Sequence, residues 1–168
     1  SLRAYAAAAD ARGVPHEEHL GRWPDVEAGV PVADVVVCHH VVYDVADLTG
    51  FALALGRHAA GRVVLELPVR HPLANLAPYW KQFWDLDRPD GPTSDDCLDV
   101  LHEAGIDAHA DVGDDDWSAR RVLTPEEHVR FARIRLCLPE AREPEVAAAL
   151  AAAPDAGPRR TATVWWDR

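Results

Sequence analysis

The densest set of reactive side chains in this sequence is His39-His40-Val41-Val42-Tyr43-Asp44, which follows directly on the apolar run Asp34-Val35-Val36-Val37-Cys38. Two imidazoles, a phenol and a carboxylate so close together suit acid–base chemistry. An unperturbed imidazole titrates near neutral pH and passes a proton in either direction. A second group, Glu66, Arg70 and His71, closes and follows another apolar run, Arg62-Val63-Val64-Leu65-Glu66-Leu67. In open α/β sheets ligands bind beyond the carboxyl ends of the strands, so both groups are expected to face one crevice.

The elements that would position them are readable from pattern. Asp34–Cys38 is short, continuous and rich in β-branched residues, which predicts a strand buried on both faces. Asp44 or Asp47 can cap a following helix that runs through Phe51, Leu53 and Leu55 to Ala60, with Gly61 ending it. Arg62–Leu67 is a second buried strand. Strand, helix and strand make a βαβ unit with parallel strands and a right-handed crossover. Upstream, Leu2–Arg12 reads as a helix closed by Gly13, Val14–Leu20 as a short polar strand, and Gly21–Pro31 as a loop with a turn of helix. Downstream, Leu73–Leu86 is aromatic and amphipathic. Thr93 with Asp96 caps a helix to Ala104 closed by Gly105, and Ile106–Val112 alternates like a half-buried strand. Thr124-Pro125-Glu126-Glu127 starts a helix running to about Leu138. Pro139 and Pro144 then precede a helix over Glu145–Ala153, and Thr161–Trp166 is a terminal strand. This alternation predicts an α/β domain with helices on both faces of a mostly parallel sheet.

Composition bounds the partners. The chain has 168 residues, 48% of them hydrophobic, one domain by length. Acidic residues outnumber basic ones 28 to 17, a net charge of −11 that disfavours a phosphate backbone. The local basic spots, Arg120-Arg121 and Arg130, Arg133 and Arg135, read as solvated helix faces. No apolar run is long enough for a membrane span, and no signal peptide is recognisable. Cys38, Cys97 and Cys137 form no CxxC pair, which argues against a disulfide framework or zinc site; the expected compartment is the cytoplasm and no metal is expected. The sequence contains no methionine, so it is expected to be a processed or partial chain.

The stretch from Asp34 to Leu48 resembles the fourth-strand motif of class I S-adenosylmethionine-dependent methyltransferases, in which a hydrophobic strand ends in a polar or histidine residue before an acidic helix start. Gly21-Arg22-Trp23-Pro24-Asp25-Val26 sits where that family has its adenine-flanking segment. Arg62–Leu67 is similar to its fifth strand, and Ile106–Val112 with Thr161–Trp166 to its closing antiparallel pair. The Ala- and Arg-rich style, with one lysine among the 17 basic residues, resembles bacterial members of high-GC genomes. The likeness implies a three-layer Rossmann-like methyltransferase sheet, mostly parallel with an antiparallel C-terminal strand. It makes residues 1–168 a single domain with a helical insertion at about 114–159 between the last two strands.

The same resemblance implies S-adenosylmethionine as cofactor and a small-molecule methyl acceptor. Gly21, Arg22, Trp23, Cys38 and His39 would border the cofactor; His40, Tyr43 and His71 would touch the acceptor. His39 or His40 would serve as general base. Each has a plainer reading: Trp23 covering a sheet edge, Cys38 a small buried side chain, one histidine of the pair purely structural. The family's glycine-rich turn and the acidic residue ending its second strand are absent, and residues 1–12 resemble the helix that follows that strand. The chain is thus expected to be N-terminally incomplete, and inactive alone. Its Val35–Cys38 edge would be left bare, which makes a homodimer by strand exchange plausible. Two rival readings are a non-catalytic methyltransferase-like module for assembly, and a metal-dependent hydrolase using His39, His40 and Asp44.

Overall fold

The computed structural model describes residues 2–114, 123–153 and 159–168. Arg120, Arg121 and the later part of the Asp114–Asp116 acidic run lie outside the described residues. The two valine-rich runs form β1 (Ala33–His39) and β2 (Ala59–Pro68), joined by α2 (Leu48–His58). They pair in parallel, from Ala33 opposite Ala59 to His39 opposite Glu66. Of the two expected caps it is Asp47 that opens α2, its carboxylate accepting the Gly50 N–H at 2.9 Å. That helix stops at His58, short of Ala60, and Gly61 lies inside β2 rather than ending a helix. Pairing with β1 has already taken over at Ala59.

Two further strands complete the sheet: β3 (His109–Asp114) and β4 (Arg160–Asp167). Their order is β1-β2-β4-β3. β4 runs antiparallel to both neighbours, so the sheet is mixed and mostly antiparallel, not mostly parallel as expected. The cause is that the last strand in sequence enters the middle of the sheet.

One sheet face carries Val63, Leu65 and Leu67 of β2 with Ala162, Val164 and Trp166 of β4, all buried. Against them pack Phe51, Ala52 and Leu55 of α2 and Cys97 and Leu101 of α4 (Ser94–Glu103). The opposite face is half-buried or exposed. Burial of β1 on both faces does not hold: Val35 is 51% and Val37 63% exposed. β1 is an edge strand, and only Val36 and Cys38 turn toward the core. Alternation with period 2 along β2 and β4 supplies a single apolar face, which one helical layer can cover.

A second cluster forms from α3 (Ala77–Trp84), α5 (Pro125–Arg135) and α6 (Glu143–Ala152), around Leu76, Ala132, Leu136, Leu138 and Val146. Tyr79, Trp80 and Phe83 pack on it, so this part of the Leu73–Leu86 segment is core. Several boundaries differ from expectation. Residues 14–20 form no strand, and Leu20 is 89% exposed; among the described residues the four strands pair only with one another. α1 covers Leu2–Asp10. β3 begins at His109 rather than Ile106 and is exposed along its length, while Ile106 itself docks on the main core. α5 ends at Arg135, before Leu138, and α6 takes Pro144 into its first turn instead of starting after it. Proline fits there because the first helical N–H groups have no partner to lose.

Candidate functional site

At the carboxyl end of the parallel pair, register places His39 beside Glu66. His39 Nδ1 lies 3.8 Å and His40 Nε2 3.2 Å from Glu66 Oε1. The backbone reinforces this, since the His40 N–H donates to the Glu66 carbonyl at 2.7 Å. His40 is held at φ 56°, the left-handed region. That twist lets two adjacent imidazoles reach one carboxylate, although successive strand residues point to opposite faces. The His40 ring is within ion-pair distance of Glu66 but misaligned for a hydrogen bond, and its buried Nε2 has no hydrogen-bond partner among the described residues.

The chain then makes a short 3-10 turn, Val42–Asp44, that buries Val42 in the core and carries Tyr43 and Asp44 at the sheet edge. Tyr43 meets His71 edge-on, ring centres 5.5 Å apart. The His71 Nδ1 accepts the Leu73 N–H at 3.1 Å. Burial, and then the Asp44 charge, push the Tyr43 phenol above its ordinary value, which keeps it protonated. Burial likewise raises the Cys38 thiol to about 11, so it is a thiol and not a nucleophile at neutral pH. Tyr43 borders two hollows. One, of about 300 Å³, lies toward the start of α2 and α4 and includes Asp47, Thr93 and Asp96. The other, of about 690 Å³, opens toward His71, Asn75 and α5.

The structure thus groups His39 and His40 with Glu66, and Tyr43 with His71, as two sets near the carboxyl end of the parallel pair; the two hollows that Tyr43 borders are not lined by the first set. It does not bring Gly21, Arg22 and Trp23 there. Trp23 packs edge-on against His58, 4.9 Å between ring centres, and the Glu27 carbonyl lies 2.9 Å from His58 Nε2. His58 closes α2, and the next residue pairs with the first residue of β1. This is the amino end of the parallel strands, six residues or roughly 20 Å from His39 at about 3.3 Å per residue. Gly21 has a local reason to be glycine: a Cβ there would collide with the Val26 side chain. The expectation that these three residues share one cofactor with Cys38 and His39 is therefore corrected. A neighbouring-strand motif carries no information about which end of the sheet a loop returns to.

No known protein-family profile matches this chain, and no curated protein matches it. Solved structures do resemble it. A candidate methyltransferase from Bacillus halodurans C-125 superposes over 99% of this chain and 78% of its own, at 14% identity and a TM-score of 0.47. A SAM-dependent methyltransferase from Archaeoglobus fulgidus superposes over 86% of this chain and 64% of its own, at 14% identity and a TM-score of 0.41.

Arg135 was misread in the sequence. Glu66 was expected at the same crevice as the histidines, and strand register places it directly beside His39. Arg135 reads as solvated helix surface, yet it lines the larger hollow. Among the described residues no three His, Cys, Asp or Glu side chains are grouped as a metal would require, so His39, His40 and Asp44 do not form such a set. Again among the described residues, no helix is long and apolar enough to cross a membrane.

Proposed function

We propose that this chain is the carboxyl-terminal portion of a methyltransferase acting on a small molecule, with S-adenosylmethionine as donor. The observation that carries the reading is the convergence of His39, His40 and Glu66 at the carboxyl end of a parallel βαβ unit, followed three residues on by Tyr43, which borders a hollow large enough for a small acceptor. The fit to the cofactor is partial. Glu66, about one-third exposed, suits the hydroxyls of a nucleoside-like ligand, whereas Trp23, at the far end of the sheet, does not. S-adenosylmethionine, when bound, supplies a methyl group on a sulfonium.

The rest is done by side chains. His39 Nδ1 faces Glu66, which leaves Nε2 as the atom to take the acceptor's proton. The nearby carboxylate stabilises the imidazolium that results. His40, fixed through its backbone, positions that carboxylate. Tyr43 and His71 hold the acceptor and close the site against water. The chain alone is expected to bind cofactor weakly and to transfer methyl groups negligibly. The bare β1 edge, with Val35 and Val37 exposed, is where a second copy would add a strand.

The test is an NMR titration of residues 1–168 with S-adenosylhomocysteine at millimolar concentration. Shifts confined to residues 38–44 and 66–71 are expected. No shifts at all, or shifts centred on residues 21–26, would overturn the reading, and low-micromolar affinity would overturn the expected weakness.

A further inference from the structure

Resting on the reading that Tyr43 and His71 border the acceptor, we infer that the larger hollow takes a small aromatic acid bearing a hydroxyl or amino group. α5 contributes one wall. His128, Phe131 and Arg135 recur at spacings of three and four and so share a stripe on the helix. All three line the hollow, while Val129, Ala132 and Leu136 turn to the second core. This division gives α5 a working face with a reason other than packing.

Arg135 is the anchor. Its guanidinium lies over the Phe131 ring, 5.4 Å from the centre. Among the described residues it has no carboxylate partner, although acidic residues exceed basic ones 28 to 17 in the chain. Its neighbours are engaged: Arg133 with Glu143 at 2.9 Å and Arg142 with Glu145 at 2.7 Å. A guanidinium with no carboxylate partner among the described residues, beside an open hollow, is matched by a ligand carboxylate, which it binds through two parallel hydrogen bonds. Phe131, 40% exposed, and Tyr43 offer ring surface for a flat apolar body.

The other wall selects for a proton-bearing substituent. Asp44 lines the same hollow, and its charge accepts a hydrogen bond from a hydroxyl or amine while disfavouring a second acid group. With Nδ1 of His71 accepting the Leu73 N–H, the neutral ring carries its proton on Nε2, a donor with no hydrogen-bond partner among the described residues. A ligand with a carboxylate and a hydroxyl or amine answers both walls at once.

The probes are 4-hydroxybenzoate and its neutral amide, 4-hydroxybenzamide, titrated by calorimetry without any methyl donor. The acid is expected to bind about tenfold or more tightly than the amide, the margin of one charge-assisted contact. Arg135→Gln should erase that preference, and Arg130→Gln, on the same helix but not in the wall, should keep it. Equal binding of acid and amide overturns the inference, as does binding of neither at millimolar concentration, or a preference that survives Arg135→Gln. Because no cofactor is present, failure here leaves the S-adenosylhomocysteine titration unaffected, and failure there leaves this result standing.

Discussion

His40 is held in a backbone region that L residues avoid, at a cost of about 1–2 kcal/mol. Glycine would remove the cost but also the imidazole. His40→Gly is therefore expected to be more stable than His40→Ala by about 1 kcal/mol in urea unfolding, and both should abolish S-adenosylhomocysteine shifts at residues 38–44. Equal stabilities would show that the turn relaxes and stores no strain. The thiols give a second prediction. Burial raises Cys38 and Cys97 from 9.0 to about 11, with the nearby Cys38 adding to the shift of Cys97. The unfolded chain ionises these thiols first, so stability they leave intact below pH 9 declines as pH climbs from 9 through 11. Melting temperatures over that window should fall less in a Cys38→Ala, Cys97→Ala variant than in the parent; parallel curves would refute it. The histidines themselves were legible in the sequence because their types advertise chemistry. Glu66 was legible as a group at the same crevice, but its pairing with His39 was not, since that comes from the register of two strands.

At the scale of elements, two helices end in the same way with different residues. α4 closes with Gly105 at φ 78°, its N–H donating to the His102 carbonyl and the Ile106 N–H to that of Leu101. α5 repeats the pattern with Cys137 at φ 55°, donating to Ile134 while the Leu138 N–H donates to Arg133. Glycine is the favoured residue at that position. Cys137→Gly should thus stabilise the fold by about 1 kcal/mol, read as a raised urea midpoint; an unchanged or lowered midpoint would contradict the account. At the other end of α5, Thr124 accepts the Glu127 N–H at 3.3 Å and Glu127 reaches back to the Thr124 N–H at 3.0 Å. Thr124→Ala should cost about 1 kcal/mol, and a loss too small to measure would mean the cap is redundant. Both capping boxes were legible because they are local, a few residues reading one another. The end of α5 was not: Cys137 is a poor signal for a stop, and only tertiary packing of Leu136 and Leu138 fixes it.

At the scale of the molecule, the βαβ unit was legible and the sheet around it was not. Periodicity marks Thr161–Trp166 as a strand, but nothing in those residues says which neighbours it will take. The register of β1 likewise left its outer edge exposed, and this gives a prediction about self-association. Val37→Lys should leave the unfolding free energy within the small range expected of surface changes, about 0.5 kcal/mol, and should suppress any dimer seen by sedimentation velocity. A parent chain that sediments as a monomer at its highest soluble concentration would remove the strand-exchange proposal.

The position of β4 has a consequence for synthesis. Arg62 and Asp167, joined by a two-pronged ion pair, are 105 residues apart in sequence. On a ribosome, β2 emerges early and then waits with one flank of unpaired peptide groups until that distant ribbon is delivered and slotted in beside it. Slow closure of so long a loop is intrinsic to this ordering of strands.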